Sequence, residues 1–164
     1  MVEGKSDGGQ SLSPALHSRA NVAWQCTTAK PQYSGFKYFT TEIKPSNPFH
    51  STAASLAGRG NYMAFDDGKF VLDMLLGDGT YFTGCALRLP ENHAKDNAEL
   101  MKDPQAYRDM LVDEHFADWP DFLKGLLSHG EEVRPWPLYF IPPESLSWET
   151  VQGVALIGDA AHLT

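Results

Sequence analysis

Cysteine is scarce in this chain: Cys26 and Cys85 are the two thiols among 164 residues. They form no CxxC pair and share no Cys/His spacing, which argues against a disulfide framework and against a structural zinc site. Cys85 reads instead as a small buried residue of a strand. Cations are also few, with 13 Lys and Arg against 21 Asp and Glu and a formal charge of −8. Without a Lys/Arg stripe, that balance leaves no surface suited to nucleic-acid phosphates or to anionic lipid. Long apolar runs are missing as well. None approaches the roughly 20 residues of a membrane span, and the polar start from Met1 to Asp7 is unlike a signal peptide, so a cytoplasmic location is expected.

Several chemical signatures are absent too. The histidines at 17, 50, 93, 115 and 129 show no i,i+4 pairing, and the acidic turns at 66, 67, 73 and 78 lack the EF-hand series, so no metal site is expected. Ser11, Ser34, Ser51 and Ser55 sit in no Gly-x-Ser-x-Gly elbow. No GxGxxG follows a strand, since Gly58-Arg-Gly60 runs on into Asn61, Tyr62 and Met63; a dinucleotide cradle is therefore missing.

What is present is a core-forming composition, 42% hydrophobic and 12% aromatic, enough for one domain of ordinary size. Residues 1 to about 30 are Gly/Ser/Thr-rich with little periodicity, apart from a short helical turn near Pro14 to Arg19. From Gln32 the aromatic and threonine content favours a strand that ends before Pro45. Pro48 to Ala57 reads as a short helix with Asn47 as cap and Gly58 as stop. Asn61–Phe65, Lys69–Leu76 and Thr80–Leu89 are β-favouring runs separated by Asp66-Asp67-Gly68 and Gly77-Asp78-Gly79, which predicts an antiparallel meander. In its third strand both faces are expected to be covered.

Asp103-Pro104 is a cap followed by a first-turn proline, and it opens a helix to about Ala117. A second helix is expected from Asp118, with Phe122, Leu123, Leu126 and Leu127 buried and Gly130 as stop. The prolines at 135, 137, 142 and 143 allow Leu138–Ile141 to be an edge strand at most. A last strand, Val154 to Ile157, runs into Gly158-Asp159 and a helix start. By residues alone, Gly158 admits a ligand against the backbone, and Asp159 fits either a helix cap or a carboxylate aimed at a polyol hydroxyl. Amides from Ala160 onward would face a phosphate.

The run Ala155-Leu-Ile-Gly-Asp-Ala-Ala-His-Leu163 resembles the second flavin-contacting motif of the class A FAD-dependent monooxygenases, which include aromatic hydroxylases and tetracycline-destructase-like enzymes. Further resemblance lies in Lys30-Pro-Gln-Tyr-Ser-Gly35, Ala57-Gly-Arg-Gly60, Phe65-Asp-Asp-Gly-Lys69, Gly77-Asp-Gly79 and Ala86-Leu-Arg-Leu-Pro-Glu91. Their order and spacing carry the likeness over residues 30 to 164. Ser6-Asp-Gly-Gly-Gln-Ser11 resembles the Asp-Gly-x-x-Ser core of another flavin-approaching segment, although Pro14 stands where the family has arginine. By residues alone, the same segment reads equally as a Gly/Ser-rich flexible tail.

The resemblance implies an α+β fold, a mixed and largely antiparallel sheet with flanking helices, joined to an incomplete FAD-binding Rossmann portion. It divides the chain into an N-terminal segment (1–30), a substrate-binding-like domain (31–150) and the truncated start of the FAD-binding domain (151–164). It implies that Asp159 binds the ribityl chain, that Gly158, Ala160 and His162 lie along the cofactor, and that Asp7 and Gly8 approach it from the other side. FAD would be the cofactor and NAD(P)H the co-substrate, with O₂ hydroxylating an aromatic or polyketide-like molecule. Phe70, Met74, Tyr81 and Phe82 are candidate walls of the substrate pocket, and ordinary core positions otherwise. One hydrogen bond to an ion, worth ~1.5–3 kcal/mol, falls short of the about 8 kcal/mol of micromolar binding. Asp159 alone cannot hold FAD, so a partner chain supplying the dinucleotide fold is one expectation. The alternatives are a non-catalytic small-molecule-binding module and a non-functional remnant.

Overall fold

The computed structural model describes residues 30–145, 150 and 152–153. The chain divides into two compact units, Tyr33–Leu138 and a second made of Met1–Gln32 with Tyr139–Thr164. The described part of the second unit includes the final residues of a strand and a 3₁₀ turn at Pro143–Ser145. The expected helical turn near Pro14 and the strand from Val154 lie outside the described residues.

Five strands form one antiparallel sheet: β1 (Gln32–Ile43), β2 (Asn61–Asp66), β3 (Lys69–Leu75), β4 (Tyr81–Arg88) and β5 (Arg134–Phe140), in the order β2-β3-β4-β1-β5. The meander is β2-β3-β4, as the Asp-Gly turns imply. Asp67 and Gly68 both have positive φ, 46° and 67°, which is the two-residue turn whose twist matches paired strands. At the other turn Asp78 accepts from the Thr80 amide at 2.9 Å. β4 lies at the sheet centre with β3 and β1 antiparallel on either side. Its position explains why residues 83 to 87 are all buried.

β5 begins earlier than the prolines suggest and takes in Pro135 and Pro137. Residues two apart aim their backbone donors at the same edge, so on an outermost strand both prolines can lack theirs on the side that has no neighbour. An outer position is the one such a sequence tolerates, and β5 occupies it.

The helices cover one face of the sheet. α1 (His50–Ala57) starts two residues later than expected, because Asn47 caps the Phe49 amide in the preceding turn at 2.9 Å; Gly58 ends the helix at φ 57°. A single helical turn, α2 (His93–Asp96), precedes α3 (Pro104–His115), whose first turn is held by the Asp103 carboxylate accepting from the Gln105 and Ala106 amides. α4 spans Asp121–Ser128. Its start is a correction, since residues from 118 form a turn closed by the Trp119 amide on the Phe116 carbonyl, and Pro120 comes directly before the helix. Phe122 is 41% exposed, against the expectation of burial, while Leu123, Leu126 and Leu127 reach the core.

The core lies between these helices and the odd-numbered residues of β1, β3 and β4: Phe39, Ile43, Val71, Tyr81, Cys85 and Leu87 pack with Tyr107, Leu111, Phe116, Trp119 and the α4 leucines. Cys85 is a free, buried thiol. Gly130 lies beyond the helix end and against β1, where a Cβ would meet Thr41 Oγ1 at 1.8 Å, so packing as well as helix termination requires glycine there. Among the described residues no helix is long and apolar enough to cross a membrane.

Candidate functional site

Since the odd-numbered residues of β1, β3 and β4 face the helices, the even-numbered ones share the opposite face, over which no described helix lies. Strand register sets them in rows. Phe65, Phe70, Ala86 and Tyr38 form one row, Met63, Leu72, Gly84 and Thr40 a second, and Asn61, Met74, Phe82 and Glu42 a third. The small residues of β4 shape this surface. A Cβ on Gly84 would lie 2.3 Å from the Tyr38 hydroxyl, so glycine lets the Tyr38 ring lie down along the sheet. There it stacks on Phe70, with centroids 5.7 Å apart and planes 21° off parallel. Burial, with a smaller effect from the Cys85 thiol, pushes the Tyr38 phenol up to about 12. It therefore stays protonated at neutral pH.

At the β1–β5 end the face opens into a cleft of about 320 Å³ lined by Tyr38, Thr40, Thr41, Glu42, Phe82, Glu132, Arg134 and Trp136. Its volume is at the lower end of small-molecule sites, and three aromatic residues share its lining with two threonines, two glutamates and an arginine. The Trp136 indole donates to Thr40 Oγ1 at 3.1 Å, which fixes the ring against β1. Arg134 turns Nε and Nη2 onto Glu132 Oε2. Lys44 is held by Glu131 at 2.7 Å, an exposed pair in which each charge favours the other's ionised form.

Of the candidate wall residues, Phe82 lines the cleft, while Phe70 and Met74 lie on the same open face. Tyr81 does not: it is 3% exposed on the helix side, donating to the Gly58 carbonyl at 2.6 Å. Beside it the Asp73 carboxyl is fully buried, accepts from Thr83 at 2.8 Å and has no partner for Oδ2. Burial raises its pKa to about 6, against the opposing pull of the Thr83 hydrogen bond and His50. The predicted cofactor residues Asp7, Gly8, Gly158, Asp159, Ala160 and His162 all lie outside the described residues. Among the described residues no group of three or more His, Cys, Asp or Glu could hold a metal ion.

Tyr38, Thr40, Glu42, Arg134 and Trp136 were not singled out by sequence. The signal for the first three was the alternation of β1. For the last two it was the proline pattern of β5, which marks an edge strand but not its neighbour.

The sheet backed by helices is a fold that this chain shares with about a third of each of several solved flavin enzymes. HpxO from Klebsiella pneumoniae, in a crystal structure with FAD and uric acid, superposes with a TM-score of 0.60 at 24% identity over 92% of this chain and 34% of that one. A salicylate hydroxylase substrate complex gives a TM-score of 0.61 at 21% identity, over 83% of this chain and 34% of that one. In sequence, the chain is similar to monooxygenase asqM of Emericella nidulans, 24% identical over 82% of this chain and 38% of that protein. It is also similar to monooxygenase penA of Penicillium thymicola, 25% identical over 88% of this chain and 42% of that protein. The chain thus spans about two fifths of the length of these curated relatives. No protein-family model matches it.

Proposed function

We propose that this chain is the substrate-covering part of an FAD-dependent monooxygenase that hydroxylates an aromatic or polyketide-like small molecule with NAD(P)H and O₂. The observation that supports this most directly is the aromatic face, flat over Gly84 and Ala86 and opening into the cleft at Trp136. Planar rings fit such a surface by stacking. FAD, when bound, supplies the redox and oxygen chemistry. In this reading Asp159 takes a ribityl hydroxyl, the amides from Ala160 serve the pyrophosphate, and Gly158, His162, Asp7 and Gly8 complete the contact. Tyr38, Phe82 and Trp136 wall the substrate and exclude water, while Thr40 and Glu42 orient its polar end.

The same reading divides the chain at about residues 30 and 150, locates it in the cytoplasm, and takes the dinucleotide-binding fold from further sequence or from a partner chain. The test is FAD titration by absorbance, with NAD(P)H consumption followed in the same cuvette, on the chain alone and with a chain carrying the missing fold. Flavin binding that Asp159→Ala weakens is the expected result. Absence of flavin binding in both settings overturns the reading. A second reading, a non-catalytic binding module, is favoured by one feature: the cleft is built entirely from residues 38 to 136. It predicts that aromatic ligands bind without any flavin spectrum or NAD(P)H oxidation.

A further inference from the structure

The polar groups around the cleft differ in what they have left to offer a ligand. Arg134 is paired with Glu132. Lys44 is spent on Glu131, and the Trp136 donor on Thr40. Glu42 stands on the open face directly across from Phe82 and is half-buried in the cleft wall. Among the described residues no hydrogen bond or ion pair engages its carboxylate; Lys44 acts on it only through space. An acceptor carrying full charge, set beside Tyr38, Phe82 and Trp136, selects for a donor at one end of a planar ring.

We infer that Glu42 determines substrate class: the cleft takes an aromatic molecule bearing an N–H donor, a protonated amine above all, in preference to aromatic carboxylates. This deepens the monooxygenase reading and rests on it for the word substrate. The selection itself follows from charge. A carboxylate ligand brought to the ring-lined end meets the Glu42 charge, and among the described residues the one cation lining the cleft, Arg134, is already paired with Glu132; an ammonium there replaces lost water by a charge-assisted bond.

The test uses the full chain, labelled with ¹⁵N and titrated at pH 7 with 2-naphthylmethylamine, 2-naphthylmethanol and 2-naphthoate, three ligands of similar size. The Trp136 indole N–H resonance, assigned by its loss in Trp136→Phe, reports occupancy. The amine is expected to bind about tenfold more tightly than the alcohol, the lower end of what one hydrogen bond to an ion provides, and the carboxylate most weakly. Glu42→Gln is expected to erase the amine's advantage over the alcohol, while Asp113→Asn, on the exposed side of α3, retains it. Carboxylate affinity equal to the amine's, an advantage that survives Glu42→Gln, or no shift of Trp136 with any probe each overturns the inference. The readout needs no flavin. A chain that sorts the probes but never takes FAD refutes only the oxygenase reading, and one that takes FAD without sorting them refutes only the role of Glu42.

Discussion

At the scale of single residues, the structure keeps two side-chain arrangements that cost stability or space. Asp73 is buried with one oxygen unpartnered, and its pKa stands near 6, against about 3.9 for a carboxyl in the unfolded chain. A raised folded-state pKa means that the folded protein binds the proton more tightly. The contribution of this proton is fully present below about pH 4 and is lost as pH rises through 6. By linkage the ceiling on this effect is ~3 kcal/mol, and solvent relaxation around the pocket lowers it. Asp73→Asn keeps the oxygen that accepts from Thr83 and removes the ionisation. It should stabilise the protein at pH 7.5 by about 1 kcal/mol and flatten the fall in stability between pH 4 and 6, measured by urea unfolding across that range. An unchanged pH slope in the variant would place the titration elsewhere. Gly84 makes the opposite compromise, giving up strand propensity so that Tyr38 can lie flat. Gly84→Ala should cost about 1–3 kcal/mol by overpacking, and by lifting Tyr38 it should also weaken aromatic-ligand binding at Trp136, a second loss that a mere strand defect would not produce.

At the scale of elements, the same packing logic separates what could be read in the sequence from what could not. The meander was legible because Asp67-Gly68 and Gly79 carry the turn chemistry themselves, and α3 because Asp103 and Pro104 are a local cap. β5 was legible as an edge strand since prolines exclude it from the interior. Local signals misled at α4, where the apolar spacing admitted Phe122 to a buried face that Leu123, Leu126 and Leu127 fill without it. Nor does the sequence explain Gly125, placed mid-helix where glycine costs about 1 kcal/mol relative to alanine. The reason is tertiary: a Cβ there would sit 2.3 Å from the Phe49 ring, which itself stacks on His129 at 4.4 Å. Gly125→Ala should therefore lower stability by roughly 1–3 kcal/mol in spite of its better helix propensity, and Phe49→Leu should recover part of that loss in the double mutant. The cleft was the least legible feature. Its walls come from β1, β4 and β5, and the contact between Thr40 and Trp136 joins residues 96 positions apart, a pairing no local pattern specifies.

At the scale of the whole molecule, two electrostatic ranges act on any ligand that approaches the cleft. The formal charge of −8 gives a diffuse field that gathers cations and repels anions, whereas Glu42 acts at contact. Salt separates them, because the screening length falls from about 30 Å at 0.01 M to about 3 Å at 1 M. The first range should vanish across that span while a half-buried contact pair is only weakened. Affinity for 2-naphthylmethylamine is thus expected to drop several-fold on raising the salt and still exceed that of 2-naphthylmethanol, whose affinity should stay nearly constant. In Glu42→Gln the molecule still carries −7 (−8 + 1), so at low salt the amine should keep a small preference that disappears entirely at 1 M. If the wild-type preference also vanished at high salt, the diffuse field would account for all of it, and Glu42 would be one surface charge among many.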